Sequence, residues 1–596
     1  MTKKIPVLCT TLLVETSPQS IPLGAACIAS AINSSALAEK NVTAFLKSFS
    51  LEDPSFINCA DINEKGKLLA QNILSELSSF SLSENTFPSA LVCFSVFVWN
   101  TLVIQEAARL IKSKNSSIIL LAGGPEVTAS PASFTAFDWC VTGEGEVSVL
   151  EFLNQLLVEK KSSEEINVQG FSSCKKNLLT LENKTRLSSP YFGLKGDKPS
   201  FSSPVRSCPP LLENLSSPWL DGTLDPNQYG GVLWELARGC PFKCSYCYES
   251  KGEKKIQFFP MERIKAELEL FGKKNVCQAF VLDPTYNADK KRALEIISLI
   301  KEKAPNMFFY FEARAEYIDS SLARAFASIP CSLQIGLQSS NEEVLKKVHR
   351  SMNKKLFVKN IGLLNKEGAV FGFDLIYGLP SDSLKGFEDS IDFALSLYPN
   401  NLELFCLSVL PGTLLFEEAE GLGLTWQKNP PYHVVSSPTF SEKEIEKAEK
   451  LSRAVKFFYT QGRAVPWFMS LLFPLHIKPS AFFKEFVKYA EENKIDTELC
   501  DFEKIMKIQN DFLAALYRQK KLEKYIPLIQ DIVNLNGALS MVTSDGKESI
   551  VFLHYHPDDL MSEYACDLAF FHKNARKMQN RTRVFASKNG PDWKKL

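Results

Sequence analysis

The chain has 596 residues, which at about 100 to 200 residues per domain allows three or four domains with cores of their own. Its 68 Lys and Arg balance 68 Asp and Glu, so no net charge draws it to nucleic acid or to an anionic membrane. The 45% hydrophobic content excludes a disordered chain, and the longest apolar runs fall short of the roughly 18 residues that span a bilayer. We expect a cytoplasmic protein that binds neither membranes nor nucleic acid.

Residues 1–160 alternate short apolar runs with helical patterns, which is typical of a parallel sheet covered by helices. Strands are predicted at 7–13, 42–46, 90–97, 118–122 and 139–141, and helices at 23–33, 65–80, 102–112 and 147–159. The pattern predicts an α/β domain of the doubly wound, Rossmann-like type. Ligands of such domains bind beyond the carboxyl ends of the strands.

Residues 161–229 are rich in Ser, Lys, Asn and Pro and predict an extended linker. Residues 230–430 alternate strand and helix patterns again, with strands predicted at 231–236, 279–282, 308–311, 332–335, 372–376 and 402–407. Six strand-helix repeats are too few for a closed barrel of eight strands. They predict an open, partial (β/α)6 barrel resembling part of a TIM barrel.

Residues 431–596 predict a mostly helical C-terminal cap with a small hairpin. Ser441 and Glu444 form a capping box at a helix start, and further helices are predicted at 480–493 and 502–520. A hairpin is predicted at Asp545-Gly546, before a strand at 549–555. The cap is expected to shape a substrate pocket, although aromatic residues at these spacings are more often core residues. The candidates for that pocket are Tyr459, Trp467, Phe468, His554 and His556.

Three cysteines, Cys240, Cys244 and Cys247, follow the first predicted barrel strand with the spacing C-x3-C-x2-C. Three thiolates on one loop can bind one compact metal centre, whereas structural zinc sites and ferredoxin clusters take four ligands. The next cysteine, Cys277, is predicted to belong to the core. With three protein ligands, one iron of a 4Fe-4S cluster stays open to a substrate or cofactor, and this indicates catalysis.

This motif, with Tyr246 before its last cysteine, resembles the signature of the radical S-adenosylmethionine (radical SAM) superfamily. The resemblance implies that the open iron binds S-adenosylmethionine, which the cluster cleaves with an electron from a protein such as a flavodoxin or ferredoxin. It also makes polar residues at later strand ends candidates for contacts to S-adenosylmethionine or substrate, although each suits a turn or a buried hydrogen bond equally well. These residues are Asp283, Asn287, Glu312, Arg314, Gln338 and Asp374.

The strand ends of the first domain are rich in glycine, which lets the backbone approach a large ligand closely. No G-x-G-x-x-G follows the first strand, which disfavours NAD. The arrangement resembles the cobalamin-binding domain that precedes the barrel in cobalamin-dependent radical SAM enzymes. The residues that carry this prediction are Trp99, Asn100, Gly123, Gly124, Glu126, Gly143, Glu144 and Gly145. The first histidine is His349, so the domain has no histidine to ligate cobalt from below. A cobalamin-like domain that has lost its ligand is the alternative.

The two resemblances together imply a cobalamin-dependent radical SAM enzyme, and most specifically a methyltransferase acting on a small molecule or peptide. One alternative is a radical SAM enzyme that forms or rearranges rings without functional cobalamin. Another is an iron-sulfur electron-transfer or binding module, which predicts a fourth protein ligand to the cluster, with Cys277 as the candidate.

Overall fold

Two six-stranded sheets form the frame of the protein in a computed structural model that describes residues 4–80, 87–174, 211–250 and 255–596. The first sheet lies in the N-terminal domain and the second forms the open barrel. A C-terminal region of helices and a three-stranded sheet follows. No helix in the described ranges is long and apolar enough to cross a membrane.

The first sheet confirms the Rossmann-like prediction. Its strands are Ile5–Leu13, Val42–Ser50, Ala90–Ser95, Ile118–Gly123, Trp139–Val141 and Phe171–Ser173, in the spatial order 2-1-3-4-5-6. The helices are Leu23–Asn33, Leu37–Lys40, Pro54–Ile57, Ile62–Ser78, Thr101–Lys114, Pro125–Ala129 and Glu146–Leu153, the last continued by a π-helical turn at Asn154–Val158. Alternate residues of one strand enter separate cores, with Leu8 on one face and Val7 on the other, as expected for a sheet covered on both sides.

The predicted linker begins with structure that belongs to the first domain. Phe171–Ser173 pairs antiparallel with the fifth strand, and Ile166 and Val168 are buried beside it. A strand of three residues is too short to show alternation, which explains why the sequence pattern missed it. Residues 175–210, with the Ser- and Pro-rich stretch at 200–207, lie outside the described residues. Beyond them, Trp219 is buried against the barrel core.

The second sheet is parallel throughout and open, with its first and sixth strands at the edges. Its strands are Val232–Trp234, Gln278–Val281, Phe308–Ala313, Cys331–Gln338, Phe371–Tyr377 and Asn401–Cys406. The helices of this region are Met261–Lys273, Lys290–Lys303, Ser320–Phe326, Glu342–Lys347, Lys354–Glu367, Leu384–Leu395 and Leu414–Glu418. Two short antiparallel pairs, Ala237–Arg238 with Gln257–Phe258 and Thr425–Trp426 with Val434–Ser436, flank the barrel. The six predicted strands are therefore all present, in sequence order across the sheet.

The C-terminal region is mostly helical, as predicted. Its helices are Glu442–Val455, Phe468–Leu472, Pro479–Glu492, Phe502–Gln519, Ile526–Asp545, Pro557–Leu560 and Leu568–Asn574, with a π-helical turn at Lys456–Gln461. The capping box at Ser441 is present. The strands Ser549–Tyr555, Lys577–Ser587 and Gly590–Lys595 form an antiparallel sheet.

The predicted hairpin at Asp545-Gly546 is wrong. Asp545 ends a 20-residue helix, and Gly546 caps that helix in the left-handed conformation at φ 64°. An Asp-Gly pair suits a hairpin turn and a helix end equally, because both need a positive φ. The favoured core role of Tyr459, Trp467 and Phe468 is confirmed, since all three are at most 3% exposed.

Candidate active site

The three cysteines of the motif lie on one loop at the carboxyl edge of the barrel, immediately after Ala237–Arg238. Two backbone hydrogen bonds fix this loop to segments that follow later strands. The Ser245 amide donates to the Val348 carbonyl at 3.0 Å, and the Leu415 amide donates to the Ser245 carbonyl at 2.8 Å. The loop is therefore held in place by the barrel itself.

The thiols of this loop lie in a partly buried environment beside a cation. Burial and, to a smaller extent, the neighbouring sulfurs of Cys244 and Cys240 raise the pKa of Cys247 to about 11. The Arg350 guanidinium lies 3.9 Å from the Cys244 sulfur, where a positive charge favours a thiolate. Metal binding must displace the protons of these thiols.

The donor set fits an iron-sulfur cluster with three protein ligands. Within the described ranges, no three His, Cys, Asp or Glu side chains converge as a site for a single metal ion. Ligands of a cluster bind different irons, so their sulfurs stand farther apart than ligands of one zinc ion.

Cys277 was expected in the core but is exposed. It lies at the amino end of the second barrel strand, whereas the cysteine loop lies at the carboxyl ends of the strands.

Several strand-end residues predicted to bind the cofactor have structural partners. One carboxylate oxygen of Asp283 accepts the amides of Leu236 and Ala237, each at 2.9 Å. The Asn287 amide and the Arg314 backbone exchange two hydrogen bonds of 2.9 Å. These contacts shape the entry to the cysteine loop and tie neighbouring strand ends together.

Two further predicted residues pack around the same loop. The Arg314 guanidinium pairs with Glu316 at 2.9 Å and lies 4.0 Å from the centre of the Phe242 ring. Tyr246 packs against the barrel core. Direct contact of any of these side chains with S-adenosylmethionine stays a prediction.

The open face of the barrel carries acidic groups with perturbed pKa values. Glu312 is solvent-accessible yet flanked by protein, and this partial desolvation raises its pKa to about 7, with a further contribution from Asp374. Burial likewise raises the pKa of Asp374 to about 6, although the Gln334 amide donates to it at 2.5 Å. Gln338 has φ 66°, and its buried side-chain oxygen has no hydrogen-bond partner among the described residues.

The sequence missed two members of this group. Gln334 and Glu403 lie across from predicted residues in the strand register, since Glu312 pairs with Gln334 and Asp374 pairs with Glu403. Only the register brings them together. A two-residue period along each predicted strand would have placed both on the open face.

A cavity of about 350 Å³ lies at the carboxyl edge of the first sheet. Five predicted residues line it, namely Gly123, Gly124, Gly143, Glu144 and Gly145. Gly124 has φ 109°, and a Cβ there would meet the Val96 carbonyl at 2.5 Å. A Cβ at position 123 would make only ordinary van der Waals contacts, with Val141 at 3.7 Å and the Phe94 carbonyl at 4.0 Å, so the backbone there can carry a side chain. The volume lies at the lower end of the range of small-molecule sites, and the glycines let a ligand approach the backbone closely.

The other three predicted residues of this domain surround the cavity. Trp99 is 41% exposed and stacks on Phe97, which lines the cavity, with 4.6 Å between ring centres. The buried Asn100 amide donates to the Leu12 carbonyl at 2.9 Å and therefore fixes a turn. Glu126 accepts a hydrogen bond of 2.9 Å from Tyr432, beyond the barrel.

Arg238 joins the cavity to the cysteine loop. It lines the cavity and stands two positions before Cys240. Its guanidinium pairs with Glu146 at 2.8 Å, Glu144 at 3.2 Å and Glu235 at 2.9 Å. These carboxylates raise the pKa of Arg238, although burial opposes them. In the sequence, only the position of Arg238 directly before the cysteine motif marks this arginine.

Family models match two separate parts of the chain. Residues 234–394 match the radical SAM superfamily, and residues 420–540 match a family described as a protein of unknown function, DUF4080. The first match covers the barrel and its cysteine loop. The second begins where the barrel ends.

Curated relatives and solved structures extend the likeness over more of the chain. The cobalamin-dependent radical SAM methyltransferase TokK of Streptomyces tokunonensis is 25% identical over 60% of this chain and 53% of its own length. The 2-(S-pantetheinyl)-carbapenam-3-carboxylate methyltransferase of Streptantibioticus cattleyicolor is 25% identical over 60% of this chain and 52% of its own. The match thus spans about half of each relative.

The cobalamin-dependent radical enzyme OxsB, solved with aqua-cobalamin bound, shares the fold with a TM-score of 0.54 at 14% identity. That likeness covers 90% of this chain and 79% of the OxsB chain. Residues 234–394 therefore form a radical SAM domain, and the chain is related to cobalamin-dependent radical SAM methyltransferases, which confirms the resemblance inferred from its motifs.

Proposed function

We propose that this radical SAM protein is a cobalamin-dependent methyltransferase acting on a small molecule or peptide. The observation that carries the proposal is Arg238, which contacts the carboxylates lining the first-domain cavity and leads directly into the cysteine loop. A cofactor in the cavity and a cluster on the loop would therefore be neighbours. Methyl transfer that uses both needs that neighbourhood, because reacting groups must meet in one site.

In this proposal Cys240, Cys244 and Cys247 hold a 4Fe-4S cluster, and the glycine cradle around Gly123 holds cobalamin. When bound, the cluster supplies reductive cleavage of S-adenosylmethionine and cobalamin supplies methyl transfer. Arg350 keeps positive charge beside the Cys244 sulfur. Arg238 holds the Glu144 and Glu146 carboxylates at the boundary of the two sites.

The acidic open face of the barrel is where S-adenosylmethionine and substrate would lie in this proposal. Glu312 and Asp374 can each hold a proton near neutral pH, because desolvation by the surrounding protein raises their pKa values to about 7 and about 6. A group that is partly protonated at working pH can accept or return a proton. The buried oxygen of Gln338 offers an acceptor without an internal partner among the described residues.

Two observations weigh on the alternatives. An electron-transfer module needs a fourth cluster ligand, and Cys277 lies at the opposite edge of the barrel sheet. A radical SAM enzyme without cobalamin has no need for the glycine-lined cavity of the first domain. The residues lining the cavity include no histidine, so cobalamin bound there would have no histidine ligand from this cavity.

Metal content of the full chain tests the proposal. The protein is purified and reconstituted without oxygen, in the presence of iron, sulfide and hydroxocobalamin, and its iron and cobalt are measured. The test variant carries Cys240→Ala, Cys244→Ala and Cys247→Ala. Its matched control carries the same change at three exposed cysteines away from the loop, Cys277, Cys500 and Cys566.

We expect about four irons and one cobalt per chain in the wild type and the control, and cobalt alone in the test variant. Iron without cobalt would leave a radical SAM enzyme with a repurposed first domain. Iron that survives in the test variant would overturn the assignment of the cluster.

A further inference from the structure

A second cavity of about 350 Å³ lies in the C-terminal region, apart from the site described above. It opens beside the helix Ile526–Asp545 and the two strands that follow it. The polar residues that line it are Lys524, His554, Tyr555, His572, Lys577 and Gln579. Nothing in the proposed methyl transfer uses this cavity.

His554 lines the cavity, and Asp531 fixes the orientation of its ring. Asp531, in the long helix, is 1% exposed, and its carboxylate accepts the amides of His554 and Tyr555 at 2.5 and 2.9 Å. Its second oxygen lies 3.0 Å from Nδ1 of His554. Because the carboxylate engages Nδ1, Nε2 is the ring nitrogen that remains for a ligand in the cavity.

The lining of the cavity also includes two lysines and a second histidine. Nδ1 of His572 lies 3.2 Å from the Tyr555 hydroxyl. Burial lowers the pKa of His572, and the positive charges of Lys577 and Lys524 lower it further. Both ammonium groups therefore act on the same side chain.

The lining of this cavity carries an excess of positive charge. Its lining residues include two lysines and no carboxylate. The nearest buried carboxylate, Asp531, already receives two backbone amides and the His554 ring. A ligand that brought negative charge would find the ammonium groups of Lys524 and Lys577 and the side-chain amide of Gln579 as hydrogen-bond donors. Charge-assisted hydrogen bonds of this kind are the strong ones.

We propose that the cavity binds the oxyanion group of a small molecule, a phosphate or a carboxylate, between Lys524 and Lys577 with His554 at its side. Lys524 precedes the helix that carries Asp531, and Lys577 begins the strand Lys577–Ser587. An anion bound to both lysines would join the helix to the sheet. The site is independent of the proposed function and stands if cobalamin does not bind.

Histidine NMR on the reconstituted full-length protein tests the site. The chain has six histidines, so labelling of their Cε1 carbons gives few signals, and His554→Gln and His572→Gln identify the two of interest. Inorganic phosphate is titrated in one arm and acetate in the other, at constant ionic strength. The arm that saturates at lower concentration identifies the preferred oxyanion.

We expect the His554 and His572 signals to shift together and to saturate with one dissociation constant. The bound anion should also raise the pKa of His572, because it offsets the two lysine charges. Lys524→Gln and Lys577→Gln should each weaken binding about tenfold, as expected for loss of one charge-assisted hydrogen bond. Lys524→Arg should retain most of the affinity.

The matched control replaces two exposed lysines of the same region, Lys588 and Lys594, with Gln, and binding should not change. Shifts that never saturate, or that appear equally in all six histidines, would overturn the proposal. Saturable shifts that the Lys524 and Lys577 variants leave unchanged would overturn it as well. Unchanged signals of the remaining histidines in each variant report that the fold is intact.

Discussion

The cysteine loop and the first-domain cavity are neighbouring sites that are built in opposite ways. The loop is defined by the side chains it carries, with three thiols fixed by backbone hydrogen bonds to the barrel. The cavity is defined by side chains that are missing, since glycines leave its space open. A site of the first kind is destroyed by truncating a residue, whereas a site of the second kind is destroyed by enlarging one.

The largest expected effect is the loss of the cluster from a single truncation. Cys244→Ala removes the thiol beside Arg350, and we expect cleavage of S-adenosylmethionine to fall to the background without protein. Cobalt content should stay as in the wild type, because the cavity keeps its lining. Iron analysis and chromatographic detection of 5'-deoxyadenosine check both statements. Loss of cobalt together with iron would show that the two sites are not separable.

The reverse result, loss of cobalamin without loss of iron, is expected when a side chain is added to the cavity wall. Gly123→Leu adds a side chain at a position that lines the cavity and where a Cβ meets no atom closer than 3.7 Å, so the backbone tolerates it while the cavity fills. We expect cobalamin affinity to fall at least about tenfold, with iron content unchanged. Absorbance titration with hydroxocobalamin measures the change. Gly362→Leu, on a barrel helix with no heavy atom near its added Cβ, is the matched control and should bind normally.

A substitution of Arg238 should affect both sites at once, because this residue contacts the cavity and leads into the cysteine loop. Arg238→Met leaves the buried Glu146 carboxylate without its guanidinium, and removing one partner of a buried pair costs about 3–5 kcal/mol. Denaturant unfolding measures this loss, and iron and cobalt contents should both fall. Arg109→Met removes an exposed arginine from its ion pair with Glu106 and should change stability little. Equal effects of the two variants would contradict the joint role.

The acidic face of the barrel predicts a pH dependence with a defined sign. Glu312 and Asp374 have folded pKa values of about 7 and about 6, above their ordinary values of about 4. The folded state therefore holds protons more tightly than the unfolded state, and stability is lost as pH rises from about 4 to 7.

After allowance for solvent screening we expect a loss of about 2 kcal/mol, measured by denaturant unfolding without S-adenosylmethionine. Glu312→Gln with Asp374→Asn should reduce this dependence and leave a smaller slope, because burial also raises the pKa of Asp283 to about 7 and that of Asp382 to about 6. A slope as steep in the double variant as in the wild type would assign the dependence to other groups.

The smallest expected effect concerns a contact between the two regions. The Tyr248 hydroxyl, one residue after the last cysteine of the loop, donates to the Pro125 carbonyl at 3.0 Å at the edge of the cavity. Tyr248→Phe should lower the free energy of unfolding by about 1 kcal/mol. Calorimetry measures the change, and the iron content should not alter. A change as large as that of Arg238→Met would mean that this hydroxyl, too, joins the sites.

Sequence reasoning succeeded where a pattern is local. The strand Trp139–Val141 and the helix Leu23–Asn33 were placed at their true ends, because buried parallel strands and amphipathic helices have periods of their own. The cysteine motif was readable for the same reason, since its ligands stand within eight positions of one another.

It failed where partners are distant in the chain. The pairing of Arg238 with Glu144 and Glu146 joins residues 92 or more positions apart, and no sequence period predicts it. The strand Phe171–Ser173 and the cationic cavity around His572 likewise depend on residues that meet only in the folded state. Tertiary contacts, and not local propensity, decide these features.

The four-residue ion-pair group around Arg238 has a consequence for anyone who recombines such proteins. Because a guanidinium from the barrel forms ion pairs with carboxylates from the first domain, neither domain can be transferred to another protein without the other's charges. A chimera that borrows the first domain of a relative inherits acidic groups without their counter-charge, or the reverse. Arg238, Glu144, Glu146 and Glu235 would have to be transplanted together, as a single inherited unit that spans the boundary between the domains.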